Sequence, residues 1–271
     1  MENPAVGVFD SGLGGLTAVK PLIGLAPKEN IVYFGDTARV PYGGRSAETI
    51  TRYAKQAISF LLSQNVKLLL NACGTMSSTL NRDFTDSLPV PYIGVIEAAA
   101  RAAVLASKNG RIGIMATAAT IKSNSFSDAV SRLNADAQTF SAACPLLVPL
   151  VEDGYISRDN AVTRMVVRDY LSPIMDSGVD TLILGCTHYP IIKDLIADAA
   201  GRGVTLIDSG LEAAKSATER LDGSLGGKSG SLRIFTSDRP HRFMQTAEMF
   251  LGKTPESVSH INIETIEKGI L

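Results

Sequence analysis

Cys73 and Cys186 each close an aliphatic run, in residues 68–75 (LLLNACGT) and 181–188 (TLILGCTH). A strand that ends at such a residue and passes into a helix puts the thiol at a helix N-terminus. There the helix dipole lowers its pKa from about 8.5 and raises the thiolate fraction. A thiolate is a nucleophile and a base, and a thiol is a general acid, so this placement opens covalent catalysis or proton transfer. His188, two residues past Cys186 and one of three histidines, is positioned to tune that thiol or relay a proton. Cys144, within AACPL at 142–146, has apolar neighbours and reads as a core residue.

The two thiol segments echo each other, and so do residues 6–11 (VGVFDS) and 112–117 (IGIMAT). An offset of this length is too long for a solenoid repeat and fits two related half-domains. Short β-branched and aliphatic runs predict strands at residues 5–9, 31–34, 68–70, 92–95, 112–115, 181–184, 204–207 and 232–235. Helical periods lie between them, the clearest at 46–65. There Ile50, Tyr53, Ala54, Ala57, Ile58, Leu61 and Leu62 share a face, with Ser46 as N-cap and Glu48 suited to the first turn. Continuous apolar strands alternating with amphipathic helices require mostly parallel sheets covered on both faces, hence an α/β fold.

Ligands of such sheets bind beyond the carboxyl ends of the strands. At those ends the sequence places Asp10, Ser11 and Gly12-Leu13-Gly14-Gly15, then Gly35, Asp36 and Thr37, then Cys73, Gly74 and Thr75. Thr117 and Thr120, Cys186 with Thr187 and His188, and Asp208 with Ser209 complete the rim. The glycine loop lacks the third spaced glycine of a dinucleotide fingerprint and the Gly-Lys-Ser/Thr of a P-loop. It reads as a tight turn that starts a helix, whose free N–H groups suit a small carboxylate. Asp10, Asp36 and Asp208 read equally as N-caps or as functional carboxylates.

A length of 271 residues fits one large or two small domains. A formal net charge of −1 with no long run of either sign disfavours generic binding to nucleic acid or an anionic membrane. With 45% hydrophobic and 20% charged residues the chain is globular in composition, not disordered or fibrous. No basic-then-apolar leader opens it and no apolar run of about 18 residues appears, so the expectation is a soluble cytoplasmic protein without a membrane partner. Three widely spaced cysteines suit neither a disulfide framework nor the close ligand pairs of a zinc site, so no metal is expected. Residues 222–231 (DGSLGGKSGS) read as a surface loop.

Longer motifs carry a resemblance. Residues 10–17 (DSGLGGLT), 33–43 (YFGDTARVPYG), 143–146 (ACPL) with 149–152 (PLVE), and 182–190 (LILGCTHYP) closely resemble, in order, those of the bacterial glutamate racemases. The resemblance implies two pseudo-symmetric α/β domains facing across a cleft, residues 1–97 with 208–271 and residues 98–207. It also implies cofactor-free interconversion of L- and D-glutamate, supplying D-glutamate for peptidoglycan. By position, Cys73 and Cys186 match the two catalytic bases, and Asp10, His188 and Glu152 match residues assisting them. Asp10, Ser11, Tyr42, Gly43, Thr75, Thr187 and His188 match substrate-contacting positions; Thr117 joins this set from its place on the rim. Two departures stand out. Gly74 occupies the position of an Asn, leaving a neighbouring backbone N–H or a water to replace the missing substrate-binding amide, and Ala98-Ala99 replaces a Pro-Gly pair.

Inverting an α-carbon needs one base on each face, and two thiols flanking one carbon meet that need. Neutral hydroxyls and backbone amides, from Ser11, Thr75 and Thr187, would stabilise the carbanion-like state, since the rim loops hold few cations, Arg39 and Arg45 being the nearest. Rival readings are a racemase of another acidic amino acid or a hydantoin, a non-catalytic amino-acid-binding paralogue, and, more distantly, a Cys/His hydrolase that leaves Cys73 unused. The assembly is left open between monomer and homodimer.

Overall fold

The computed structural model describes residues 3–221 and 229–263. Among the described residues ten strands build two sheets: β1 (Ala5–Asp10), β2 (Ile31–Gly35), β3 (Val66–Asn71), β4 (Tyr92–Gly94), β5 (Arg111–Ala116), β6 (Gln138–Ala143), β7 (Thr181–Leu184), β8 (Thr205–Asp208), β9 (Leu232–Thr236) and β10 (Ser259–His260). The first sheet runs β10-β9-β2-β1-β3-β4 and the second β6-β5-β7-β8, every pairing parallel. The inner order 2-1-3-4 of the first sheet is repeated as 6-5-7-8 in the second. The sequence echo is therefore topological: β1 matches β5, and β3, which leads to Cys73, matches β7, which leads to Cys186.

The apolar runs became strands because a parallel sheet hides both faces of its central members. β1, β2 and β7 are buried along their whole length. The helix Ala47–Leu62 packs as its period demands, burying Ile50, Ala54, Ala57, Ile58 and Leu61, with the Ser46 hydroxyl accepting the Thr49 N–H. Burying each of the Ile and Leu side chains contributes about 2 kcal/mol. One apolar cluster runs through both sheets, joining Val6, Leu68 and Leu70 to Leu182, Leu184 and Tyr189.

Two strands escaped the sequence reading. β6 (QTFSAA) is a partly exposed edge with no aliphatic run, and β10 is a two-residue exposed edge. Val95 is not the last residue of a strand but the first of the helix Val95–Ala106. The expected domain limit at residue 97 falls inside that helix, which packs on both β4 and β8. The glycine-rich stretch at 222–231 lies outside the described residues up to 228; beyond it, Gly230 donates its N–H to Pro27 O. Among the described residues no helix is long and apolar enough to cross a membrane.

Candidate active site

The glycine loop after β1 is the tight turn its composition implies. The helix Leu16–Leu25 begins at Gly15, and the Asp10 carboxylate itself takes two of the loop's N–H groups, from Gly12 (3.1 Å) and Gly15 (3.0 Å). Those amides are therefore occupied by the chain's own carboxylate, not left for a ligand. Both bonds fall on Oδ2. Asp10 Oδ1 is buried without a hydrogen-bond partner among the described residues. Asp208 has the plain capping role, accepting the Leu211 N–H at the start of the helix Ser209–Arg220.

Cys73 sits between β3 and the one-turn helix Gly74–Ser77. Its N–H donates to Asn71 Oδ1 (3.1 Å), Asn71 in turn donates to the Tyr92 hydroxyl (2.9 Å), and the Cys73 thiol reaches Ser11 Oγ at 3.5 Å. The expected lowering of this thiol's pKa does not occur. Burial, and next the charge of Asp10, push it up to about 12 against the N–H groups of Ser11 and Met76. A four-residue helix in a dry site offers too little dipole to offset desolvation.

Cys186 follows β7 and precedes the 3-10 turn Tyr189–Ile192. His188 Nδ1 lies 3.8 Å from Cys186 Sγ and 3.3 Å from Thr187 Oγ1, and Nε2 lies 3.0 Å from Glu152 Oε1. Burial acts to lower the imidazole pKa, but the Cys186 sulfur and the Glu152 carboxylate together outweigh it and raise the value to about 10. His188 is thus held as an imidazolium, its ring nearly perpendicular to that of Phe250 with centroids 5.2 Å apart. Cys144 is fully buried in the core as expected, and burial pushes its thiol up to about 12.

The Cys73 loop touches the loops of the second sheet. Thr75 Oγ1 and Thr117 Oγ1 are 3.0 Å apart, and Thr117 Oγ1 continues to Thr120 Oγ1 at 3.0 Å. The Thr17 hydroxyl lies 2.8 Å from Gly14 O and 2.9 Å from Thr187 O, spanning from the first sheet's loops to the second's. Tyr42 stands slightly apart. Its hydroxyl donates to Asp36, which also binds Arg39 (Nε 2.7 Å, Nη2 2.6 Å) and accepts from Ser237 (2.7 Å). Asp36 is therefore neither cap nor reacting group: it is the buried anchor of the loop 36–42, and it consumes the Arg39 charge. Gly43 is exposed, in open space.

The structure thus gathers Asp10, Ser11, Cys73, Gly74, Thr75, Thr117, Cys186, Thr187, His188 and Glu152, all but Glu152 buried or half-buried. Asn71 and Thr17 were missed. A polar residue ending the run LLLN was the signal for Asn71; Thr17 had none, because its partner is 170 residues away. Among the described residues no group of three or more His, Cys, Asp or Glu could hold a metal ion.

The family model described as Asp/Glu/Hydantoin racemase matches residues 19–217. The glutamate racemase of Geobacter metallireducens is 42% identical over 268 residues, covering 97% of this chain and 98% of that protein. Among solved structures, a Bacillus anthracis glutamate racemase superposes with a TM-score of 0.90 at 36% identity, over 96% of this chain and 97% of the other. The Francisella tularensis glutamate racemase, solved in complex with D-glutamate, gives 0.89 at 36% identity, over 98% and 100%. The chain belongs to the Asp/Glu/hydantoin racemase family, and within that family of isomerases it stands beside the glutamate racemases.

Proposed function

We propose that this protein interconverts L- and D-glutamate without a cofactor, using Cys73 and Cys186 as bases on opposite faces of the α-carbon. One observation carries the reading: two buried cysteines at matching strand ends of two sheets with the same inner order, on loops that approach each other at Gly74 and Gly185. The domains would be residues 1–97 with 208–271 and residues 98–207, with the substrate in the cleft between them.

The chemistry follows from the protonation states. Protonated His188, 3.8 Å away, stabilises negative charge on Cys186 and so suits it to act as a base, while Cys73, with its raised pKa, is the resting thiol. For the enantiomer whose α-hydrogen faces Cys186, the thiolate takes that proton and its lone pair forms the new S–H bond. The C–H electron pair stays on the α-carbon, delocalised into the carboxylate. Cys73 then delivers its proton to the opposite face and becomes thiolate. The opposite enantiomer reverses the roles. Asp10 Oδ1, buried close to Cys73 and without a partner, is the acceptor suited to a substrate ammonium or to the Cys73 proton. The hydroxyls of Ser11, Thr75, Thr117 and Thr187 are the donors for carboxylate groups, and water exclusion strengthens each such bond. The product D-glutamate fits use in peptidoglycan, made in the cytoplasm.

Incubation with L-glutamate in D2O tests this. The expected result is loss of optical rotation with solvent deuterium at the α-carbon, abolished in both directions by Cys73→Ala and by Cys186→Ala. Undiminished racemisation in either variant ends the two-base reading. Faster turnover of aspartate or a hydantoin would reassign the substrate.

A further inference from the structure

Gly74 and Gly185 flank the two thiols, one directly after Cys73 and the other directly before Cys186. They meet. A Cβ on Gly74 would lie 2.5 Å from Gly185 O, a backbone atom of the opposite sheet's loop that no side-chain rotation can clear. Thr120 Oγ1 closes the other side at 3.7 Å. The space next to Cys73 is therefore not an unfilled substrate pocket: the backbone that carries the second thiol fills it. Some residues away, the Thr17 hydroxyl pulls the same loop inward through Thr187 O.

Resting on the two-thiol reading above, we propose that Gly74 and Thr17 are positioning residues that set the separation of the two sulfurs, Gly74 as the spacer that permits close approach and Thr17 as the tether that holds it. Each sulfur is one residue from the Gly74–Gly185 contact, so a displacement there is passed to the sulfurs with little chain to absorb it. With alanine at 74, Gly185 O must retreat by about 0.5 Å to reach even the 3.0 Å limit of tight contacts. Proton transfer on two faces of one carbon is steep in distance, with 1 Å of misplacement costing about 10²-fold, so kcat should fall roughly tenfold or more.

The same displacement changes what happens to the proton. With one sulfur too far away, the other abstracts the α-proton, exchanges it for solvent deuterium, and returns the deuteron to the face it left. Exchange without inversion then outpaces inversion. The test follows L-glutamate in D2O by proton NMR and circular dichroism, for wild type, Gly74→Ala, Thr17→Val and, as a control in open space on the helix Leu16–Leu25, Gly24→Ala. The expected result is a lower kcat with KM moved less, and a deuterium ratio of recovered substrate to product that rises at least threefold in Gly74→Ala and Thr17→Val but not in Gly24→Ala. A ratio equal to wild type in both variants overturns the proposal, however much activity they lose. Should Gly74→Ala fail to fold, Thr17→Val decides alone. Wild-type enzyme that inverts without solvent exchange would instead defeat the two-thiol reading itself.

Discussion

Replacing His188 with asparagine removes the imidazolium beside Cys186 while keeping a polar side chain of similar reach. His188 Nδ1 lies 3.8 Å from the Cys186 sulfur. At an effective dielectric of 20, opposite unit charges at that distance attract by about 4 kcal/mol. The raised pKa of about 10 reports this attraction, combined with that of Glu152 and reduced by burial. Glu152 is 47% exposed, so solvent screens its share and most of the effect belongs to the sulfur. At about 1.4 kcal/mol per factor of ten, losing the imidazolium should lower kcat by about 10² to 10³ at pH 7.5, in the direction where Cys186 acts as base. The assay is circular dichroism of L- and D-glutamate from pH 6.5 to 10. The gap between variant and wild type should narrow at the alkaline end, where the wild-type imidazolium itself loses its proton. Glu152→Gln should cost less than tenfold. Activity of His188→Asn within threefold of wild type across the whole range would refute the reasoning, and so would a large loss independent of pH.

The Asp36→Asn substitution breaks the buried Asp36–Arg39 ion pair and its charged hydrogen bonds, so stability should drop by about 1.5–3 kcal/mol in urea unfolding. A drop under 1 kcal/mol would mean the pair is not the anchor of its loop. Wild-type stability should itself decline from pH 7 to 10. The His188 pKa is raised in the fold, so its stabilising effect is complete below about 6.5 and fades as pH climbs towards about 10. Cys73 and Cys144 are both raised from 9.0 to about 12, and this favours the native state below pH 9 and progressively less above it. A urea midpoint that rises across this range contradicts both assignments.

Much of this architecture could be read one residue at a time. Strands such as IVYFG at 31–35 are apolar along their whole length because both faces are covered, and that pattern is local. The echo of 68–75 in 181–188 pointed to β3 and β7, equivalent members of two sheets. Legibility failed where the cause was non-local. β6 takes its place from pairing with β5 and has no aliphatic run of its own. Dipole reasoning applied to Cys73 gave the wrong direction, because desolvation depends on everything packed around the sulfur and a strand-to-helix junction says nothing of that. Asp36 looked like a candidate for the site until Arg39, Tyr42 and Ser237, the last 201 residues away, closed around it.

The sequence by itself determined which residues form the strands, that two halves share one plan, and that a thiol ends the same strand in each. These are matters of residue type and period, and both act over a few neighbours. Only the tertiary structure decided that the two thiol loops meet where a Cβ on Gly74 would strike Gly185 O, that burial raises the Cys73 pKa, and that Cys186 and Glu152 raise that of His188. Charge state and close approach depend on atoms a hundred or more residues apart, and only folding brings those together.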